Sequence, residues 1–331
     1  MRMGILGSGM IVQDLLTTLD KLNLEYTAIL GTPPSREHVE NLAAKYNLQK
    51  TYYDYDELLA DENLDTIYVA LPNFLHYPFA KKALLADKNV IVEKPGVTTY
   101  EEFTDLKNIA SERGKILLEA MTVHYMPAYL SIRADLTKLG DIKIVSMNYS
   151  QYSSRYDKFK AGEILPAFDP KKAGGALMDI CVYNLHFVVG LFGAPKSFSY
   201  SANIERGIDT SGVMILDYGN FKAVCVGAKD CQAPTNSTIQ GDKGNILIQI
   251  PTNRISEYSI AFSAGNYAET AREVKNFDDG THRMLYEFKV FVDIIDSRDF
   301  ARANKMLEVS GIVSKILHDG RAQVGIKFAN D

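Results

Sequence analysis

Three short segments carry side chains whose types and spacing could do chemistry. The first, Gly4-Ile5-Leu6-Gly7-Ser8-Gly9-Met10-Ile11-Val12, sets two glycines one residue apart between a strand-like run and an amphipathic stretch. Such a G-x-G turn lets the chain reverse tightly at Gly7 and lets the backbone at Gly9 approach a pyrophosphate, with Ser8, Met10 and Ile11 at a positive helix start. Val12 fills the third position of the fingerprint with a bulkier side chain, and a plain strand-to-helix turn would explain two glycines as well. The second segment, Asn89-Val90-Ile91-Val92-Glu93-Lys94-Pro95, delivers Glu93 and Lys94 to the end of an apolar run. Pro95 biases Lys94 toward extended backbone, and a cis bond is accessible there. A strand-end lysine standing alone also reads as a surface charge. The third segment, Gly174-Gly175 through His186, spaces Asp179, Tyr183 and His186 four and three apart, which puts them on one helix face. The alternative is a packed Tyr183 with a satisfied hydroxyl and an Asp179 that caps something.

These side chains need a scaffold that brings strand ends together. Strand-like runs fall at Met3–Leu6, Tyr26–Leu30, Thr66–Ala70, Val90–Glu93 and Ile116–Glu119. Helical periodicity fills the gaps at Ile11–Leu22, Arg36–Tyr46, Tyr55–Ala60, Tyr77–Ala86 and Tyr100–Arg113, where Phe103, Leu106 and Ala110 repeat three and four apart. The alternation predicts an α/β domain over residues 1–120, a doubly wound parallel sheet of Rossmann type. Leu71-Pro72-Asn73-Phe74-Leu75-His76 then ends the strand before Lys94's own, at the edge where such sheets collect ligands. Beyond Ala120 the texture changes to alternating runs at Ile142–Tyr149, Gly212–Asp217, Lys222–Val226 and Ile246–Ile250, with helical patterns at Met178–Phe192 and from about His282 to His318. Residues 121–331 are therefore expected to form an α+β domain on a mostly antiparallel sheet.

An NAD-selective site usually has Asp or Glu at the end of the second strand. Leu30-Gly31-Thr32-Pro33-Pro34-Ser35-Arg36 has neither, so Thr32, Ser35 and Arg36 could hold a 2′-phosphate, favouring NADP over NAD. Ser35 also reads as the N-cap of the next helix, with Arg36 solvated.

Bulk properties narrow the classes. At 331 residues two cores are expected, and a net charge of −5 without basic clusters excludes a nucleic-acid footprint. No export segment is expected at the N-terminus, and the apolar tract Cys181–Ala194 reads as too short to span a bilayer. Cys181, Cys225 and Cys231 form no metal or disulfide pattern. Three buried or half-buried thiols in a cytoplasmic protein, with no metal and no membrane partner, are expected.

Together the segments resemble the glucose-fructose oxidoreductase / inositol dehydrogenase / rhizopine catabolism protein family of sugar and polyol dehydrogenases. The resemblance spans the chain: Gly7-Ser8-Gly9, Pro72-Asn73-x-x-His76, Glu93-Lys94-Pro95, Glu119-Ala120 with Pro127, Gly174-Gly175, Asp179 with Tyr183, and Gly241-x-Lys243-Gly244. Tyr183 in Met178-Asp179-Ile180-x-Val182-Tyr183 is similar to the dihydrodiol and D-xylose dehydrogenase branch, which implies NADP and a sugar, polyol or cyclic diol substrate. The resemblance implies hydride transfer to or from nicotinamide, with Tyr183 as general acid/base and Lys94 across the cleft as its electrostatic partner. An ammonium lowers the phenol's free pKa of about 10. Asp179 would orient Lys94 or a substrate hydroxyl; Leu71, Pro72, Asn73, His76 and Glu93 would join the cofactor site; His124, Arg155 and His186 would line the substrate pocket. A homodimer or homotetramer through the second domain's sheet is implied as well. Two departures stand out. Met121-Thr122-Val123-His124 puts His124 where the branch commonly has arginine, and the arginine usual after the second strand is missing. A catalytically silent NAD(P)-binding sensor of the same fold is the rival reading, against which Lys94 and Tyr183 both count.

Overall fold

The computed structural model describes residues 1–265, 268–329 and 331. The chain forms two compact units, Met1–Ala120 with His282–Ser314, and Met121–Thr281 with Lys315–Asp331.

The first unit alternates β1 (Arg2–Leu6), α1 (Met10–Leu16), β2 (Tyr26–Leu30), α2 (Arg36–Tyr46), β3 (Lys50–Tyr52), α3 (Tyr55–Leu59), β4 (Thr66–Val69), α4 (His76–Leu85), β5 (Asn89–Glu93), α5 (Tyr100–Arg113) and β6 (Leu117–Ala120). All six strands pair in parallel in the order β3-β2-β1-β4-β5-β6. The order reverses between β1 and β4, which opens a crevice beyond the carboxyl ends of those strands. Every residue of β4 is buried, as expected of a parallel strand covered on both faces. β3 escapes a reading of periodicity because it is three residues long. α1 stops at Leu16 instead of Leu22: the hydroxyls of Thr17 and Thr18 bond back to the carbonyls of Asp14 and Leu15, and the chain passes into a 3-10 turn. α5 has clear punctuation at both ends. Glu102 N–H donates to Thr99 Oγ1 (3.1 Å), Thr99 N–H donates to Glu102 Oε2 (3.2 Å), and Gly114 closes the helix at φ +59°.

The second unit carries α6 (Pro127–Asp135), β7 (Ile142–Ser150), α7 (Tyr156–Lys160), a π-helical turn (Leu177–Cys181) running into α8 (Val182–Phe192), and strands β8 (Ser197–Glu205), β9 (Ile208–Asp217), β10 (Lys222–Ala228), β11 (Ser237–Gly241), β12 (Gly244–Ile248), β13 (Glu257–Gly265), β14 (Ala268–Glu269) and β15 (Glu273–Asn276). The sheet order is β14-β13-β12-β11-β7-β10-β9-β8 with β15 on β13, and the β7/β10 pairing is parallel. The helical segment Pro170–Phe192 is long and apolar enough to cross a membrane, longer than the Cys181–Ala194 tract suggested, and 78 % of its most apolar window is buried inside the protein. Cys181 and Cys225 are buried, whereas Cys231 is exposed, against the expectation that all three would be buried or half-buried.

The expected 121–331 domain gives up residues 282–314 to the first unit. They form α9 (Arg283–Ser297) and the first part of α10 (Phe300–Gln323). The cause is an apolar stripe: Met284, Leu285, Phe288, Phe291 and Ile295 are buried, and Phe288 meets Tyr68 of β4 edge to face at 5.1 Å. On α10, Leu307 joins the first unit's core, and Gly311 lies so close to Phe103 that a Cβ would sit 2.7 Å from its ring. Replacing Phe288 with alanine should therefore lower stability by about 3–5 kcal/mol, read as an earlier urea midpoint at unchanged slope.

Candidate active site

Gly7, directly after β1, adopts φ +101°, and a Cβ there would lie 2.7 Å from the carbonyl oxygen of Ala70 at the end of β4. Only glycine fits. Nothing stands within 4 Å of a Cβ on Gly9, so its backbone faces open space. Between them, the Ser8 carbonyl accepts from Gln13 Nε2 at 3.2 Å and lies 3.2 Å from His38 Nε2, which ties the turn to α1 and α2. Met10 and Ile11 follow in the first turn of α1, with Met10 69 % exposed.

Beside this turn is a cavity of about 420 Å³. Gly7 and Ser8 form one side, Gly31, Thr32 and Ser35 the rim, and Tyr53, Tyr55, Leu71, Leu75 and Phe79 the apolar wall. Among the described residues no carboxylate lines it. Flat apolar walls with a hydroxyl rim suit a purine nucleoside, so the cradle fits the adenosine half of a dinucleotide. Ser35 occupies the N-cap position of α2, but its hydroxyl serves the preceding turn: it accepts from Thr32 N–H (2.9 Å) and donates to Thr32 O (2.9 Å). Arg36 is not simply solvated. Its guanidinium lies 3.8 Å over the Tyr53 ring and 3.5 Å from Glu40.

The strand ends beyond β4 and β5 are bound to each other. His76 is 1 % exposed, and its ring nitrogens lie 2.8 Å from Pro95 O and 2.7 Å from Leu71 O. Burial holds its pKa below the usual value against the pull of those carbonyls. His76 thus ties the Leu71-Pro72-Asn73 loop to the Lys94-Pro95 segment. Glu93 is buried and accepts from Tyr68 OH at 2.5 Å and from Lys94 N–H at 3.2 Å. Burial raises its carboxyl pKa, opposed by the Tyr68 bond and the charges of Lys94 and Arg283. Lys94, partly exposed, precedes a cis peptide to Pro95, and Gly96 N–H donates to Glu119 Oε1 at 2.8 Å. Sequence reading missed Tyr68 and Arg283; a tyrosine inside an otherwise aliphatic buried strand was the available signal for the first.

In the second unit the expected stripe of Asp179, Tyr183 and His186 divides. The π-helical turn changes the angular spacing, so Asp179 and His186 go to different partners. Asp179 Oδ2 accepts from Lys229 Nζ at 2.6 Å. Tyr183 is 8 % exposed, with its ring 6.2 Å from that of Tyr149. His186, 1 % exposed, has Nδ1 3.1 Å from His124 Nε2, and the Tyr129 ring is 5.6 Å from His124. Burial, with the charges of His186 and Arg133, keeps His124 well below its ordinary pKa. His186 is buried and His124 half-buried, so the pair joins the unit's interior to its surface. Arg155 is exposed at the start of α7.

Two further residues went unrecognised. Asp209, at the start of β9, accepts from Leu177 N–H (2.6 Å) and Tyr200 OH (2.8 Å), and a Cβ on Gly175 would collide with it. Burial raises its pKa to about 6 against those two donors. Lys229, just after β10, is the other. No spacing marks either one; each is a polar residue in or beside an alternating strand.

A glycine-turn cradle on a 3-2-1-4-5-6 sheet, with a lysine at the neighbouring strand end, defines the class of dinucleotide-binding α/β proteins. The comparisons narrow this. Residues 1–121 match the family model described as "Oxidoreductase family, NAD-binding Rossmann fold" (GFO_IDH_MocA), and residues 134–247 match the GFO/IDH/MocA C-terminal domain. A scyllo-inositol 2-dehydrogenase (NADP(+)), IolU, of Bacillus subtilis is 32 % identical over 332 residues, covering 100 % of this chain and 99 % of the relative. A trans-1,2-dihydrobenzene-1,2-diol dehydrogenase of Mus musculus is 27 % identical over 346 residues, covering 100 % and 99 %. Among solved structures, the 3-ketoreductase KijD10 of Actinomadura kijaniata, in complex with NADP and TDP-benzene, superposes with a TM-score of 0.85 at 20 % identity, covering 99 % of this chain and 98 % of that one. The chain belongs to the GFO/IDH/MocA oxidoreductase family.

Asp209 supplies a pH test of the frame around Asp179. Its folded pKa of about 6 exceeds its ordinary 3.8, so its contribution to stability is complete below pH 4 and lost as pH rises through 6. The stability of the parent minus that of Asp209→Asn should fall by on the order of 2 kcal/mol between pH 4 and pH 6.5, measured by urea unfolding. A pH-independent difference would refute the raised value.

Proposed function

We propose that this chain is an NADP-dependent dehydrogenase acting on a CH–OH group of a polyol, sugar or cyclic diol. The observation that carries the reading is the end-to-end similarity to a protein named as an NADP(+)-dependent inositol dehydrogenase, on a chain that carries Lys94, Asp179 and Tyr183. The cofactor preference is supported by the first unit's cavity, whose rim carries Thr32 and Ser35, with Arg36 over Tyr53 and, among the described residues, no lining carboxylate to repel a 2′-phosphate.

When bound, NADP supplies or accepts the two-electron reducing equivalent. The chain's own groups handle position and proton. Gly7 to Ile11 cradle the pyrophosphate, and the aromatic wall holds the purine. Lys94 donates to the substrate oxygen and stabilises negative charge there, with its backbone fixed by Glu93 and by the His76 tie. Tyr183 takes or returns the hydroxyl proton, and Asp179 accepts from a substrate hydroxyl.

A fluorescence titration should show NADPH binding more tightly than NADH, and a panel of inositols, aldoses and diols should yield turnover. Lys94→Met and Tyr183→Phe should each cut kcat by about a thousandfold or more and leave NADPH affinity within a few-fold. Tight NADPH binding with no turnover on any panel member would instead favour the sensor reading, and tighter NADH binding would overturn the cofactor assignment.

We further propose a homodimer or homotetramer built on the outer face of the second unit's sheet. Val213 and Ile215 of β9 are 37 % and 42 % exposed there, in register with Val226 and Val224 of β10, and Ile144 of β7 is 40 % exposed nearby. Light scattering should give at least twice the chain mass, and Ile215→Lys should shift it toward monomer. A monomeric parent protein would contradict the proposal.

A further inference from the structure

Lys229 is the charged side chain whose placement the functional reading leaves unexplained. It is 3 % exposed and held by backbone on both sides: its N–H donates to Thr210 O at 2.8 Å, and its carbonyl accepts from Ser153 N–H at 2.8 Å. The ammonium donates to Asp179 Oδ2 at 2.6 Å and to Ala167 O at 2.8 Å, and its third side faces the Phe168 ring, 4.5 Å from the centroid. Two of its three N–H donors are taken by protein acceptors and the ammonium is almost wholly buried, so its contacts are made within the protein.

Burying an ammonium is costly, and an ion pair in the interior is weak ground for stability, since well-packed apolar side chains often do as well or better. What the pair achieves is asymmetry. The lysine side chain is 4 % exposed and the Asp179 side chain 36 %, so the cation lies behind the carboxylate and leaves part of it facing outward. The backbone under Asp179 is also fixed: its N–H donates to Gly175 O, and Asp209 binds Leu177 N–H at the start of the same turn. The charge of Lys229 also opposes the raised pKa of the buried Asp209.

We propose that Lys229 is a positioning residue that keeps Asp179 ionised and aimed, making Asp179 a preset acceptor for a hydroxyl of the substrate. The role assigned to Asp179 rests on the dehydrogenase reading; the coupling between the two side chains does not.

The test uses the full-length protein with NADPH bound. Carbon-13 NMR follows the Asp179 carboxyl, assigned by its loss in Asp179→Asn. In Lys229→Met its titration should move up by about one pH unit or more, as removal of an adjacent opposite charge requires. On whichever CH–OH substrate turns over, Lys229→Met should lower kcat/KM by about ten- to a hundredfold, with Lys229→Arg recovering part of the loss. In an Asp179→Asn background, Lys229→Met should cost nothing further. A near-parental kcat/KM in Lys229→Met, or a full additional loss in the Asp179→Asn background, would overturn the positioning role. If the parent oxidises no panel member, the dehydrogenase reading falls, and the titration alone then decides the inference: an unmoved Asp179 refutes it, a raised one upholds it. Should Lys229→Met fail to fold, Lys229→Gln keeps a donor for Ala167 O and is read the same way.

Discussion

A parallel sheet covered on both faces can meet a ligand only at its ends, and that constraint organises the first unit. β1, β4 and β5 spend nearly every side chain on the core, so the functional groups gather where the strands stop. Gly7, Leu71 to Asn73 and Glu93 to Pro95 are all such stops. Their backbones would be loose if each loop ended independently. His76 prevents this by joining Leu71 to Pro95, and Tyr68 does so by holding Glu93 directly before Lys94. The cradle therefore borrows rigidity from the core through two buried polar side chains, each satisfied by a neighbouring strand.

The second unit solves a similar problem with an irregular helix. A regular α-helix through Gly174 to Phe192 would line up Asp179, Tyr183 and His186. The π-helical turn at Leu177–Cys181 sets Asp179 toward Lys229 and leaves His186 to pair with His124. Such turns are intrinsically unfavourable and need support. Here it comes from two strands: Asp209 in β9 holds the start of the turn, and close packing of Gly227 in β10 against Cys181 leaves no room for a Cβ.

The scaffold was largely legible in the sequence because it depends on period. Five of the parallel strands and the helices between them follow from alternation and from caps such as Thr99 and Gly114, while β3, three residues long, is too brief to impose one. Membership of residues 282–314 was not legible, since an apolar stripe does not state which core it joins. At the site, Gly7, Lys94 and the Asp179–Tyr183 segment stand out through motif spacing. The pairing of His124 with His186 was not legible, because the 3-10 turn Thr122–Tyr125 and α8 lie some sixty residues apart in sequence. Lys229 and Asp209 were invisible for the same reason: their partners lie far off in sequence, and nothing local distinguishes a buried charge from a solvated one.

The return of α9 to the first unit bears on how the protein is made. Tyr68 leaves the ribosome more than two hundred residues before Phe288, the ring it packs against. Until then the six-stranded sheet carries an uncovered aromatic surface, and the nascent chain cannot finish its first domain in order of synthesis. Completion of the nucleotide-binding unit thus waits on translation of the intervening second unit. Chains terminated early should be clients of chaperones and proteases instead of stable fragments, and fusion or truncation designs that cut near residue 120 would remove a wall of the core they aim to keep.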